Sequence, residues 1–163
     1  MSSHPRYTVD ASVFVNAFNP HEDGHADSLA FLASVQEEAD PVIVPALLLP
    51  EVASAVARAS QDGVGALQYA NATAALPHVI LVSLTSAMSR QAADLAATHR
   101  LRGADAVYLA VARRYGTTLV SRDEEQRLRG SAVAACQTPE EALASRSIRT
   151  RVPRAGRGKR TQP

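Results

Sequence analysis

The sequence predicts one α/β domain, built as a three-layer α/β/α fold around a central, mostly parallel sheet. Short apolar runs rich in β-branched residues alternate with helix-forming segments along most of the chain. A length of 163 residues fits a single domain, and 46% hydrophobic residues with 20% charged residues can form a buried core. Strands separated by helices pair in parallel and are covered by helices on both faces, which gives this architecture.

The elements follow from local patterns. Apolar runs bounded by turn-forming residues predict strands over residues 7–15, 41–45, 79–83, 117–121 and 132–135. Helical periodicity predicts helices over residues 25–39, 64–76, 86–99 and 104–115. A further helix begins near Pro45 or Pro50, because proline suits a first helical turn. The last helix opens at Thr138, with proline next and glutamate at the third position, as in a capping box. In the helix over 25–39, Leu29, Leu32, Ala33 and Gln36 are expected on related faces.

Charge divides the chain into a domain over residues 1–145 and a basic tail over residues 146–163. The tail holds seven of the 17 basic residues and no acid, so the remainder of the chain contains ten basic residues and all 16 acidic residues. Because the tail also lacks apolar periodicity, we expect it to be disordered. Contact with nucleic acid and simple solvation of the chain end explain such a tail equally well.

Composition excludes several kinds of protein. No apolar run is long enough to span a bilayer, and the N-terminus lacks a basic stretch before a hydrophobic segment, so we expect a cytoplasmic protein. A lone cysteine, Cys136, excludes an internal disulfide and a cysteine-rich zinc site. Dinucleotide binding requires a glycine-rich turn after the first strand, and none is present. A phosphatase of the haloacid dehalogenase type requires a second aspartate at the position of Ser12.

Four acids stand where the predicted fold would bring them together. Asp10 and Asp123 directly follow runs of β-forming residues, so both are expected at the carboxyl edge of the sheet, where ligands bind. Glu51 and Asp105 lie in or near first helical turns that leave from the same edge. Their neighbours are almost wholly apolar, a setting that acids seldom occupy without a partner.

Convergence of these carboxylates predicts a metal site. Grouped carboxylates repel each other unless a cation neutralises them, and hard oxygen ligands suit Mg²⁺ or Mn²⁺. A bound ion of this kind lowers the pKa of a water molecule and stabilises charge developing on a phosphodiester. The pattern therefore indicates a hydrolytic nuclease.

The segments that carry these acids resemble the four ordered motifs of PIN domains, and most closely those of VapC-type toxins. They read VDASV at residues 9–13, PEVASAV at residues 50–56, ADAVYLA at residues 104–110 and LVSRDEEQ at residues 119–126. The resemblance covers about residues 6–145 and is specific because the order, the spacing and the flanking residues agree together. Ser121 stands where many relatives have threonine, which keeps the hydroxyl group.

This resemblance implies a Mg²⁺-dependent ribonuclease, with Mn²⁺ as an alternative ion. Asp10, Glu51, Asp105 and Asp123 would be its catalytic residues, with Asp10, Asp105 and Asp123 as metal ligands. Ser12 and Ser121 would support them through their hydroxyl groups. The resemblance further implies the toxin of a type II toxin–antitoxin pair, which forms a homodimer, cleaves RNA and is neutralised by a cognate antitoxin. The alternative is a non-catalytic module that binds RNA or protein through the same acidic surface.

Overall fold

The computed structural model describes residues 5–151, without the side chains of residues 149–151. Strands and helices alternate along this part of the chain. In order, the elements are β1 (Tyr7–Val9), α1 (Ala11–Phe18), α2 (His25–Glu37), β2 (Val42–Pro45), α3 (Leu48–Ser60), α4 (Gly63–Ala74), β3 (Val79–Val82), α5 (Ser86–His99), α6 (Gly103–Tyr115), β4 (Thr118–Val120), α7 (Glu124–Gly130), β5 (Cys136–Gln137) and α8 (Pro139–Arg151).

The described strands form one sheet in the order β3-β2-β1-β4-β5, and every pair in it is parallel. Strand β1 is central, with Tyr7 opposite Val42 of β2 and Val9 opposite Val120 of β4. Helices flank this sheet as the sequence predicts, so the three-layer α/β/α fold class is confirmed.

Helix α6 is the most deeply buried helix of the domain. Its residues from Ala106 to Ala112 are all buried, and it packs against β1, β2 and β4. A helix buried on all sides must be apolar all round, which explains the run AVYLAVA. It ends at Gly116, whose φ of 60° lies in the left-handed region that favours glycine at this position.

The direction of chain progression across the sheet reverses between β1 and β4. From β1 the chain moves outward through β2 and β3, then returns to the other side of β1 to form β4 and β5. In open parallel sheets such a reversal opens a crevice beyond the carboxyl ends of the two strands. Asp10 directly follows β1 at this reversal, and its amide donates to the carbonyl of Val120 at 2.9 Å.

Residues 12–15 lie in a helix, so the predicted extension of the first strand is wrong. The backbone turns at Asp10, whose carboxylate accepts a hydrogen bond from the Ser12 amide at 2.9 Å and caps α1. Val13 and Phe14 are then buried from this helix. Strand propensity depends on packing context, and here the cap and the helical packing outweigh the β-branched residues.

Another local prediction is also wrong. The predicted strand over 132–135 is absent from the described structure, where β5 begins at Cys136. In α2, the four residues expected on related faces line one surface cavity together. The buried side chains of this helix are Ser28, Phe31 and Val35, and Phe31 packs edge-on against Tyr7 of β1.

Helix α8 continues past residue 146, where the charge distribution places the boundary between the domain and the basic tail. Its start matches the predicted capping box, because the Glu141 amide donates to Thr138 Oγ1 at 3.2 Å and the Thr138 amide donates to Glu141 Oε2 at 2.8 Å. Arg146, counted with the tail by charge, is only 6% exposed and pairs with Asp40. The rest of the predicted tail, residues 152–163, lies outside the described residues. Within residues 5–151, no helix has the length and apolarity needed to cross a membrane.

Candidate active site

The structure brings the four predicted acids to one cleft at the carboxyl ends of the strands. Asp10 follows β1, Asp123 follows β4, and Glu51 and Asp105 lie in the first turns of α3 and α6. All four line a cleft of about 370 Å³. The cleft lies beside the reversal between β1 and β4, as expected for an open parallel sheet.

Asp10 is the most buried of these acids, with an exposed fraction of 7%. Besides the Ser12 amide, it accepts a hydrogen bond from Gln126 Nε2 at 3.2 Å. Burial raises the pKa of Asp10, and the negative charge of Asp123 raises it further, although the hydrogen bonds oppose both effects. The folded chain thus holds this carboxylate at an energetic cost that a cation would relieve.

Glu51 has an oxygen atom without a partner. Its Oε2 atom is buried and accepts no hydrogen bond within residues 5–151, and the Tyr108 hydroxyl beside it is likewise unsatisfied. Burial raises the pKa of Glu51, the Tyr108 hydroxyl lowers it, and the charges of Asp10 and Asp105 raise it further. Buried polar atoms are nearly always paired in folded proteins, so Glu51 Oε2 is open to a hydrogen bond from the Tyr108 hydroxyl or to a bound ion or water.

Asp105 and Asp123 share one arginine. Arg102 Nε donates to Asp105 Oδ2 at 2.8 Å, and its Nη2 atom donates to Asp123 Oδ2. Burial raises the pKa of Asp105 even though Arg102 acts in the opposite direction. The guanidinium therefore supplies positive charge between two acids that the sequence analysis assigned to a metal ion.

Ser12 and Ser121 connect the two loops that carry Asp10 and Asp123. Their hydroxyl oxygens lie 3.4 Å apart, and Ser12 Oγ accepts from the Arg122 amide at 3.1 Å. Ser121 Oγ accepts from the Asp123 amide at 3.0 Å. These contacts hold the loop after β4 against the start of α1, so both serines contact the backbone that positions the acids.

Gln126 and Arg102 are site residues that the sequence analysis did not identify. Gln126 is fully buried in α7. Its backbone amide donates to Asp123 Oδ1 at 2.8 Å, and its side-chain Nε2 atom donates to Asp10. No predicted element contained Gln126, because α7 is short and polar. Arg102 could have been suspected from its position three residues before Asp105, a spacing that allows ion pairs in helices.

The donor atoms of the cleft fit a divalent cation. Carboxylate oxygens are the ligands that Mg²⁺ and Mn²⁺ prefer, and Glu51 lines the cleft together with the three aspartates. The arrangement is not a finished metal site, however: among residues 5–151, no three acid, histidine or cysteine side chains are grouped closely enough to hold an ion. Binding would therefore require the acid side chains to move closer together and the Arg102 guanidinium to give up its contacts with Asp105 and Asp123.

Comparison with known proteins gives a family-level match. A sequence model of the PIN domain matches residues 7–130, which include all four acids. The chain has no match among curated protein sequences.

Three solved structures share the fold. VapC20 from Mycobacterium tuberculosis, described as a Sarcin-Ricin loop cleaving toxin, has a TM-score of 0.64 at 22% identity, covering 77% of this chain and 95% of that one. VapBC2 from Rickettsia felis, bound to a DNA fragment from its promoter, has a TM-score of 0.61 at 12% identity, covering 82% and 98%. A toxin-antitoxin complex from Klebsiella pneumoniae has a TM-score of 0.58 at 18% identity, covering 84% and 98%.

Proposed function

Because the chain belongs to the PIN domain family, we propose that it is a Mg²⁺-dependent endoribonuclease, with Mn²⁺ as an alternative ion. The observation that carries this proposal is the convergence of four carboxylates on one cleft, with a buried Glu51 oxygen that lacks a hydrogen-bond partner within residues 5–151. In this proposal Asp10, Asp105 and Asp123 hold the ion, and Glu51 acts beside them.

The residues of the cleft would divide the chemistry between them. A bound divalent ion supplies charge stabilisation and a water of lowered pKa. Glu51 lines the same cleft and would accept a proton or a hydrogen bond at the reacting centre. Gln126 and Ser12 fix the Asp10 carboxylate by hydrogen bonds to both of its oxygens, so that it stays oriented toward the cleft. The reaction is hydrolysis of an RNA phosphodiester without a covalent enzyme intermediate.

The likeness to toxins supports a more specific role. One neighbour in fold is described as a toxin and another as a toxin-antitoxin complex, which supports a toxin neutralised by a cognate antitoxin. In this proposal the chain cleaves RNA in the cytoplasm. A homodimer is supported by large apolar side chains left exposed on α4 and near the edge strand β3, namely Val64, Leu67, Ile80, Leu81 and Leu84. Light scattering of the purified chain measures this association.

The experiment is RNA cleavage by the full-length chain, before and after chelation and after Mg²⁺ is restored. Asp10→Asn and Asp105→Asn should each reduce cleavage by at least about a hundredfold, the scale of losing one group that stabilises transition-state charge. Asp94→Asn is the matched control, because Asp94 is exposed on α5 outside the cleft. RNA binding that persists without any cleavage would instead indicate the non-catalytic binding module.

A further inference from the structure

The positively charged guanidinium of Arg102 lies between two of the four acids. It donates from Nε to Asp105 and from Nη2 to Asp123, so a single side chain bridges an acid on α6 and an acid that follows β4. Both acids belong to the group proposed to hold a divalent ion. The same two carboxylates therefore interact with the guanidinium in this structure and are proposed ligands of the ion.

The acids of this bridge are much less exposed than the arginine. Asp123 caps α7 through Oδ1, which accepts from the Gln126 amide, and leaves Oδ2 for Arg102. The Asp105 and Asp123 side chains are only 13% and 27% exposed, whereas that of Arg102 is 65% exposed. An exposed arginine held only by ion pairs can rotate into solvent at little cost.

A guanidinium and a divalent ion held by the same two carboxylates repel each other, since both are positive and lie within a few ångströms. We propose that Arg102 is a built-in counter-ion that competes with the divalent cation for Asp105 and Asp123. It offsets part of the negative charge of the cleft while no ion is bound, and it gives up its contacts with these two acids when the ion binds. This inference rests on the proposed function, because it takes that ion as the ligand of the cleft.

Arg58 provides a matched comparison within the same cleft. It lines the cleft from α3, two turns after Glu51, and carries the same charge as Arg102. The described ion pairs include Arg102 but not Arg58. Replacing either arginine by methionine removes one positive charge from the cleft, whereas only the change at position 102 frees the two acids.

The test is the binding of Mn²⁺ to the full-length chain, with free Mn²⁺ followed by electron paramagnetic resonance. Arg102→Met should tighten the dissociation constant about tenfold, within the range of ordinary coupling between two ligands. Arg58→Met should tighten it by less than about threefold, since only screened long-range repulsion is lost. Arg102→Lys should lie between wild type and Arg102→Met, because lysine keeps the charge but cannot bridge two carboxylates through a planar fork.

Equal or weaker Mn²⁺ binding by Arg102→Met than by wild type would overturn the proposal, as would equal gains from both methionine variants. A parallel cleavage assay separates this inference from the proposed function. Metal-dependent cleavage by wild type with no gain at position 102 rejects the competition alone. Tighter binding without any RNA cleavage by wild type keeps the competition and rejects the nuclease. If no variant binds Mn²⁺, both fail.

Discussion

Two arginines of this chain contact aspartates in opposite settings. Arg146 of α8 pairs with Asp40, and the side chains of the two residues are 6% and 0% exposed. Arg146 also donates to the Ser34 carbonyl at 2.9 Å and stacks on the Tyr7 ring, with 5.7 Å between its Cζ atom and the ring centroid. Arg102, by contrast, is 65% exposed at the mouth of the acidic cleft.

Burial gives these two arginine–aspartate pairs different roles. Separating a buried pair strands a charge away from water, so the pair holds its elements together. Separating an exposed pair costs little, because water replaces the partner. Arg146 therefore locks α8 onto α2 and β1, whereas Arg102 is suited to exchange with a ligand.

The largest effect on stability is expected at the buried pair. Arg146→Met leaves the Asp40 charge buried without its guanidinium, and we expect the free energy of unfolding to fall by about 3–5 kcal/mol. Arg102→Met should change it by less than about 1 kcal/mol in the absence of metal. Urea unfolding of both variants in chelator measures the two values. Equal losses would show that burial does not separate the two arginines.

A smaller effect of opposite sign is expected at Asp10. Burial raises the pKa of Asp10 above its ordinary 3.8, so the charged carboxylate destabilises the metal-free fold at neutral pH. Asp10→Asn should therefore stabilise the chain, since asparagine still accepts the Ser12 amide as a helix cap. The Gln126 side chain can turn its Oε1 atom, which has no partner within residues 5–151, toward the new NH2 group.

The pH dependence checks the sign of this effect. As the pH falls through the raised pKa of Asp10 toward 3.8, wild type takes up the proton in the folded state first, and the advantage of Asp10→Asn should disappear. Thermal unfolding of wild type and Asp10→Asn in chelator, at neutral pH and at about pH 4, measures the stability gained by the substitution. A gain that grows with acidity would contradict the assigned cause.

The smallest effect is expected at the start of α8, the helix that carries Arg146. Thr138→Ala removes the acceptor of the Glu141 amide and should cost about 1 kcal/mol in the free energy of unfolding. Thr98→Ala is a suitable control, because Thr98 is exposed in α5 and removing its side chain takes away no cap. A loss no greater than that of the control would mean that the buried Arg146 pair, and not the cap, holds this helix in place.

The sequence allowed the acidic cleft to be predicted because its parts are local signals. Asp10 and Asp123 follow β-forming runs, Glu51 and Asp105 stand at helix starts, and a parallel sheet brings such positions to one edge. None of these inferences requires knowledge of side-chain packing. The same local signals placed α5 over its observed residues and located the capping box of α8.

Packing explains what could not be predicted. The pair of Arg102 with Asp123 joins residues 21 positions apart, and that of Arg146 with Asp40 joins residues 106 positions apart. Neither separation has a periodic signature in the sequence. Residues 12–15 carry strand-forming side chains, and only the cap at Asp10 and the burial of Phe14 reveal the helix.

The four carboxylates are proposed to bind a divalent ion on which RNA cleavage depends. This dependence is tested most directly by one Mg²⁺ titration of the chelator-treated, full-length chain, with RNA cleavage rate and melting temperature recorded at each concentration. An ion that binds only the folded chain must raise its stability. Cleavage and melting temperature should rise together, and both responses should vanish in Asp105→Asn. Cleavage that continues unchanged in excess chelator would contradict this dependence.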